Sequence, residues 1–314
     1  MTKIKNLIVK GIKYVTDADY RAYCQGMLGR SNPKLDEKFI KARWKDFYGY
    51  EIDLENPKTL SEKLQWLKLY DRKWEYVTIA DKYAVKEFVA ERVGEEHIIP
   101  TLKVWDRAED IDIAELPEKF ILKTTHDSGG FIICKDKSSF NLEEAKEFFR
   151  GRLKHNHYIA NREWPYKHVM PRIIAEPLIE GLGDLDSVEY KVTCFNGKVA
   201  FVTICRGIAH AGFDDRTNDH FDRNRQKMDW YTYYKPAKET PEIPKEWDQI
   251  VEFSEKLAKD IPYIRVDMYI INGKILFGEM TFFTWGGYLR FEPIEWDLKL
   301  GEMLELPKHK EIRD

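Results

Sequence analysis

The sequence predicts an α+β fold, and three observations point to it. Residues 1 to about 75 carry helical patterning with no strand-helix-strand alternation. From about residue 98, short alternating strands joined by turns take over. Two amphipathic stretches, 141–154 and 247–259, then interrupt the strands as helices. The chain has 314 residues, enough for two ordinary domains. Its 43% hydrophobic and 33% charged residues belong to a globular protein. Lys and Arg number 51 against 54 Asp and Glu, a formal net charge of −3. A nucleic-acid binder more often shows a basic excess, so no nucleic-acid partner is expected.

The first element is amphipathic. Ile4, Leu7, Ile8, Ile12 and Val15 share one helical face, flanked by Lys3, Lys5, Lys10 and Lys13. It reads either as a helix docked on the body or as a peripheral contact with an anionic membrane surface. Its longest apolar run, Leu7-Ile8-Val9, is too short for a secretory signal, and no run approaches the ~18 residues of a membrane span. Cys24, Cys134, Cys194 and Cys205 form no CxxC pair and have no His at metal-ligand spacing. That pattern argues against structural zinc and for a reduced, cytoplasmic setting, at the inner membrane face if the basic helix docks there. Cys134 and Cys194 lie in apolar runs and read as buried.

Next, Asn56-Pro57 breaks the chain, and Thr59 with Glu62 makes a capping box. Leu60, Leu64, Leu67 and Tyr70 share a face of the helix it opens. Another helix starts near Asp81 and runs through Ala84, Phe88, Val89 and Val93 to Gly94. Short extended pieces follow at 98–100 and 103–105. KFILK (119–123) and FIICK (131–135) read as strands joined by the Gly- and hydroxyl-rich loop 124–130. In the 141–154 helix, Leu142, Ala145, Phe148 and Phe149 point inward. Residues 172–179 and 189–195 are strands, and Asn196-Gly197 turns into a third at 199–202. Residues 207–243, polar and Gly/Asp-rich, read as a long loop or lid.

The most informative stretch is RVDMYIINGKILFGEMTFFTWGG (265–287). A two-residue Asn272-Gly273 loop would mix charged and core residues on both faces of the hairpin. A three-residue loop, Ile271-Asn272-Gly273 with a bulged Gly273, segregates them. Arg265, Asp267, Phe277, Glu279 and Thr281 then share one face; Val266, Met268, Ile270, Leu276 and Met280 share the other. The three-residue loop is therefore expected. Two carboxylates beside a guanidinium suit Mg²⁺ that also holds nucleotide phosphates. An Arg–Asp–Glu salt-bridge cluster on a solvated sheet face is the competing reading.

The 124–130 loop can fold over phosphates, because Ser128, Gly129 and Gly130 let backbone N–H groups approach closely. Lys123 at the end of its strand and Lys82 at a helix start can reach phosphate oxygens. His126 stands among these groups, where phosphate contact is credible. Each of these is, alone, more often an ordinary surface or loop residue.

In order and spacing, these residues resemble the ATP-grasp ligases from about Ala80 to Gly287. Asp81-Lys82 looks like the opening of the first lobe, KFILKTTHDSGG (119–130) like the nucleotide lysine and phosphate loop, and EPLI (176–179) like the interlobe hinge. Arg265 and Asp267, then Glu279-Met280-Thr281, look like the closing metal hairpin. More closely, the chain is similar to the TupA-like branch, associated with teichuronopeptide and capsular polysaccharide synthesis. That resemblance rests on TLSEKLQWLKLYDR (59–72), ADKYAV (80–85), HDSGG (126–130), REWPY (162–166) and FGEMTF (277–282).

The resemblance implies an ATP-grasp fold of two α+β lobes gripping ATP, at 76–178 and 179–314, behind an N-terminal helical region at 1–75. It implies nucleotide contacts from Lys82, Lys123, Ser128, Gly129, Gly130 and Glu176, adenine contacts from the backbone of Pro177 and Ile179, and ribose contact from Glu189. Lys123, Arg265, Lys82 and His126 would take catalytic roles, with Mg²⁺ on Asp267, Glu279 and Thr281. At 281 the chain has Thr where ATP-grasp enzymes usually have Asn, and a hydroxyl is still a hard oxygen ligand. The implied activity is ATP- and Mg²⁺-dependent joining of an amine to a carboxylate-bearing glycan. Rival readings are a glycosyltransferase, from the DxD form of Asp184-Leu185-Asp186, and a non-catalytic nucleotide-binding protein, from Thr281.

Overall fold

A computed structural model describes Val15 and residues 35–181, 187–207 and 216–308. Apart from Val15, the amphipathic start lies outside the described residues, as do Cys24 and the Asp184-Leu185-Asp186 motif. The helices are α1 (Asp36–Tyr48), α2 (Leu60–Tyr70), α3 (Trp74–Ala80), α4 (Val85–Val93), α5 (Leu142–Arg152), α6 (His157–Asn161), α7 (Trp247–Leu257) and α8 (Glu295–Met303). The strands are β1 (Lys103–Trp105), β2 (Phe120–Thr124), β3 (Phe131–Cys134), β4 (Ile173–Pro177), β5 (Glu189–Phe195), β6 (Lys198–Arg206), β7 (Thr217–Phe221), β8 (Lys227–Met228), β9 (Tyr263–Ile271) and β10 (Lys274–Thr281). They form a four-stranded sheet, β1-β4-β2-β3, and a six-stranded sheet, β10-β9-β5-β6-β7-β8. All described strand pairs are antiparallel, as turn-connected strands allow.

Local chemistry sets the helix starts. The Thr59 hydroxyl accepts from Glu62 N at 3.2 Å, and the Glu62 carboxylate accepts from Thr59 N at 3.0 Å, closing the capping box. Leu60, Leu64 and Leu67 are buried behind it. In α7, Trp247, Ile250, Val251, Ser254 and Leu257 recur at helical spacing, and this buried face packs on β5 and β6. In α5, Ala145 and Phe149 are buried as expected, but Phe148 is exposed: it falls about 100° from Phe149 around the helix, past the edge of the packed stripe.

Among the described residues, two hydrophobic cores result. The larger joins α1–α4, the six-stranded sheet, α7 and α8; the smaller lies between the four-stranded sheet and α5. The N-terminal helices are thus part of the large-sheet body. Cys134, Cys194 and Cys205 are all buried.

Two further expectations are corrected. Residues 216–243 are not simply a loop: β7 and β8 extend the large sheet there, with His220 stacked on Trp230 at a centroid separation of 3.6 Å. Their polar composition hid the strands, because β7 (TNDHF) alternates weakly. The closing hairpin also has a two-residue loop. Ile271 pairs with Lys274, and Asn272 (φ 52°) and Gly273 (φ 75°) both take left-handed angles. The register shifts instead at Gly278, where Phe277 faces Met268 but Glu279 faces Asp267. A Cβ on Gly278 would stand 3.0 Å from the Asp267 carbonyl oxygen. This β-bulge brings Glu279 and Thr281 onto the face of Asp267 and Arg265, and puts Phe277 on the apolar face and Leu276 on the site face. A glycine inside a strand pattern was the available signal.

Candidate active site

One row of cross-strand neighbours carries the site across the large sheet: Glu279, Asp267, Lys191, Thr203 and His220, from β10, β9, β5, β6 and β7. Arg265 and Thr281 form the next row. Arg265 grips Asp267 with both arms, Nε to Oδ1 and Nη2 to Oδ2, each at 2.6 Å. Lys191 Nζ donates to Asp267 Oδ2 at 2.6 Å and also lies 2.6 Å from Glu189 Oε2. Burial alone would raise the Asp267 pKa; the Arg265 and Lys191 charges outweigh it and hold the carboxyl below its ordinary value. Burial would likewise lower Lys191, but Asp267 and Glu189 outweigh it and raise the ammonium. The register settles that Lys191 belongs to the site, which its strand alone could not.

Glu279 differs from Asp267. Its side chain is 37% exposed, and its contacts are longer: Arg265 Nη2 at 3.4 Å, Thr281 Oγ1 at 3.3 Å and Lys82 Nζ at 3.7 Å. Among the described residues no three His, Cys, Asp or Glu side chains form a self-sufficient metal cage. Two carboxylates and the Thr281 hydroxyl nevertheless share this face. That set fits Mg²⁺, which completes its shell with phosphates and water. Among the described residues, Asp267 Oδ1 accepts only the Arg265 Nε bond, which leaves a lone pair for a cation.

The phosphate-loop candidate is folded on itself. Thr124 N donates to Gly130 O at 2.7 Å, and the Thr124 hydroxyl bonds the buried Asp127 carboxylate, which Arg152 also pairs. Arg152 Nη2 donates to Ser128 O at 2.5 Å. Ser128 and Gly129 are left exposed at the tip, Gly129 with φ 75°. Gly130 has no room for a side chain: a Cβ would lie 2.0 Å from Thr124 Oγ1. Lys82 bonds this loop twice, backbone N to Thr125 O at 3.0 Å and Nζ to Asp127 O at 2.5 Å.

Lys82, Ser128, Gly129, Glu189, Arg265, Glu279 and Thr281 line one cleft of about 770 Å³. The other candidates sit behind or beside it. Glu176 is buried between two ammonium groups, Lys123 at 2.6 Å and Lys86 at 2.5 Å. It is a buried hub that positions Lys123. Pro177 ends β4 opposite Phe120, and the half-buried Ile179 follows beyond the strand. His126 is a correction. It is buried, its Nε2 bonds the carbonyls of Arg152 and His155 at 3.2 and 3.1 Å, and burial lowers its basicity. It braces the loop from behind. Sequence reasoning does not find Lys86 or Arg152; Lys86 repeats Lys82 one helical turn on, which is the only hint.

Fold and cleft define the class: two antiparallel sheets with a phosphate-loop candidate on one and an acidic hairpin on the other are the ATP-grasp fold. The family model described as TupA-like ATPgrasp matches residues 62–305, and the chain belongs to that family. No curated protein matches it. Among solved structures it is similar to D-alanine–D-alanine ligase from Bacillus anthracis complexed with ATP, at 19% identity over 65% of this chain and 55% of that one, TM-score 0.40. It is also similar to D-alanine–D-alanine ligase from Helicobacter pylori, at 18% identity over 80% and 70%, TM-score 0.40. A D-cycloserine synthetase matches at 16% identity over 73% and 71%, TM-score 0.40. The chain thus spans just over half the length of the first of these. Among the described residues no helix is long and apolar enough to cross a membrane.

Proposed function

We propose that this protein is an ATP- and Mg²⁺-dependent carboxylate–amine ligase working through an acyl phosphate. Its acceptor is a carboxylate-bearing glycan of surface polysaccharide synthesis and its donor an amino acid or other amine. The observation that carries the reading is the convergence, in one cleft, of Lys82 and the 124–130 loop with Arg265 and Glu279. The substrate class rests on family membership.

In the first step a carboxylate oxygen attacks the γ-phosphorus, and the bond to ADP breaks with its electron pair leaving on ADP. In the second, an amine nitrogen attacks the acyl carbon, phosphate departs with the C–O pair, and the nitrogen loses a proton. Bound Mg²⁺ would neutralise phosphate charge from Asp267, Glu279 and Thr281. Lys82 and the loop N–H groups hold the phosphoryl oxygens, with Lys123 braced behind by Glu176. Arg265, pinned by Asp267, donates from Nη1 to the Thr284 hydroxyl at 3.3 Å, which holds that edge where it can steady the acyl oxygens. Glu189, held by Tyr269 at 3.0 Å, is offered to the ribose. The basic N-terminal segment would make a peripheral contact with an anionic membrane surface.

The test is ADP release over pairs of carboxylates and amines with Mg²⁺. Activity that needs both partners and disappears in Glu279→Gln supports the proposal. Nucleotide binding without partner-dependent ADP release across the screen, or full turnover in that variant, overturns it.

A further inference from the structure

Beyond the phosphate end, the cleft ends in aromatic side chains that the ligase chemistry does not use. Trp285 is 46% exposed and Tyr233 39% exposed, their ring centroids 4.4 Å apart, and both line the cleft. The backbone at Trp285 is left-handed (φ 53°, ψ 30°), and Gly286 and Gly287 continue so at φ 63° and 71°. A tryptophan is strained there, and such strain persists only where the surroundings enforce it.

The enforcement comes from α2. Lys68, fully buried, donates to Gly286 O at 2.5 Å, Asn161 O at 3.0 Å and Gln65 Oε1 at 2.8 Å, using all three ammonium protons. Gln65 Nε2 donates to Gly287 O at 2.8 Å. A buried lysine and a buried glutamine thus hold an indole partly in solvent, where it adds little to the core. Strain, exposure and a place in the cleft together mark Trp285 as a ligand contact.

Charge narrows the ligand. Arg43 of α1 lines the same end, its guanidinium 4.8 Å above the Tyr288 ring and its Nη1 on Ala160 O at 2.5 Å. Among the described residues it has no carboxylate partner. The Tyr233 hydroxyl donates to Tyr288 O at 2.5 Å, which joins these groups into one wall. The wall runs straight into the reacting centre, since Thr284, beside Trp285, bonds Tyr263 at 2.9 Å and Arg265 at 3.3 Å.

We propose that this wall is the acceptor subsite, where the apolar C–H face of an anionic sugar ring lies on Trp285, its reacting carboxylate reaches Arg265 and a further anionic group meets Arg43. This deepens the ligase reading and rests on it. The N-terminal helices thereby serve the site directly, since α1 supplies the anion contact and α2 fixes the platform. Lys68 and Gln65 are positioning residues.

The test uses the full chain with ADP and Mg²⁺, titrated with trigalacturonate, maltotriose and p-hydroxybenzoate by calorimetry. Trigalacturonate is expected to bind tightest. Trp285→Gly suits the left-handed backbone and removes the platform; it should weaken trigalacturonate at least tenfold while ADP affinity stays unchanged. Arg43→Gln should do the same. Trigalacturonate binding unaltered in both variants overturns the proposal. So does maltotriose binding equally well, or p-hydroxybenzoate alone binding. Absence of ADP binding to the unaltered chain would instead count against the ligase reading, so the two failures are distinguishable.

Discussion

Lys82 Nζ stands 3.7 Å from Glu279 Oε2 while the same ammonium donates to Asp127 O at 2.5 Å. One side chain therefore ties the phosphate-loop candidate of the small sheet to the acidic hairpin of the large one. Replacing it removes a charge-assisted bond and one of the links between the two sheets. Lys82→Met should weaken ATP binding by about tenfold or more, from ~1.5–3 kcal/mol for a bond to a charged group. Calorimetric titration of ATP checks the affinity, and faster amide exchange at 126–130 checks the link.

Asp267 and Glu279 should separate by experiment. Asp267 is buried and neutralises Arg265 and Lys191, so Asp267→Asn leaves cationic charge uncompensated and should cost about 3–5 kcal/mol. Glu279 is partly exposed, so Glu279→Gln should abolish ligation with the denaturant midpoint nearly unchanged. Equal loss of stability in both would show that Glu279 is structural.

The same aspartate predicts an acid response. Its folded pKa lies below the unfolded value, so the native state binds fewer protons and stability rises with pH through that window. Its contribution is complete above the ordinary Asp pKa of about 4 and is lost as pH falls through the folded value. Acid unfolding curves of the unaltered protein should show this loss, and those of Asp267→Asn should lack it.

Asp297 predicts the opposite sign. Burial foremost pushes its carboxyl up to about 6, although Ser61 N donates to its Oδ1 at 2.8 Å. The native state then binds more protons than the unfolded chain between about pH 4 and 6, so stability falls as pH rises across that interval. Asp297→Asn keeps an acceptor for Ser61 and removes the titration. It should flatten the profile and raise stability at pH 8 by roughly 1–3 kcal/mol, read from urea midpoints.

Gly130→Ala tests the loop. The added methyl would overlap Thr124 Oγ1 and lie 2.5 Å from Asp127 Oδ1, breaking the bond that closes the loop. A stability loss of about 1–3 kcal/mol and weaker ATP binding are expected. Differential scanning calorimetry with and without ATP would show both.

Features set by neighbours in the chain are legible without the structure. The Thr59–Glu62 capping box, the Asn196-Gly197 turn and the α7 stripe each depend on spacing over a few residues. The length of the hairpin loop is not legible, because two irregularities have the same effect on facing: a bulged turn at Gly273 or a bulge at Gly278 segregates charge equally well. The direction of His126 is not legible either, because a polar loop residue can turn to either side, and only packing against α5 decides which.

By itself the sequence determined the α+β class, the chemical types at the site and, β7 apart, the strands that carry them, because periodicity and turn chemistry act locally. The tertiary structure decided which groups meet: Lys82 with Glu279, Lys191 with Asp267, and Lys68 with the strained turn at Trp285. Those meetings depend on register, burial and desolvated charge across distant segments, which exist only once the chain has closed upon itself.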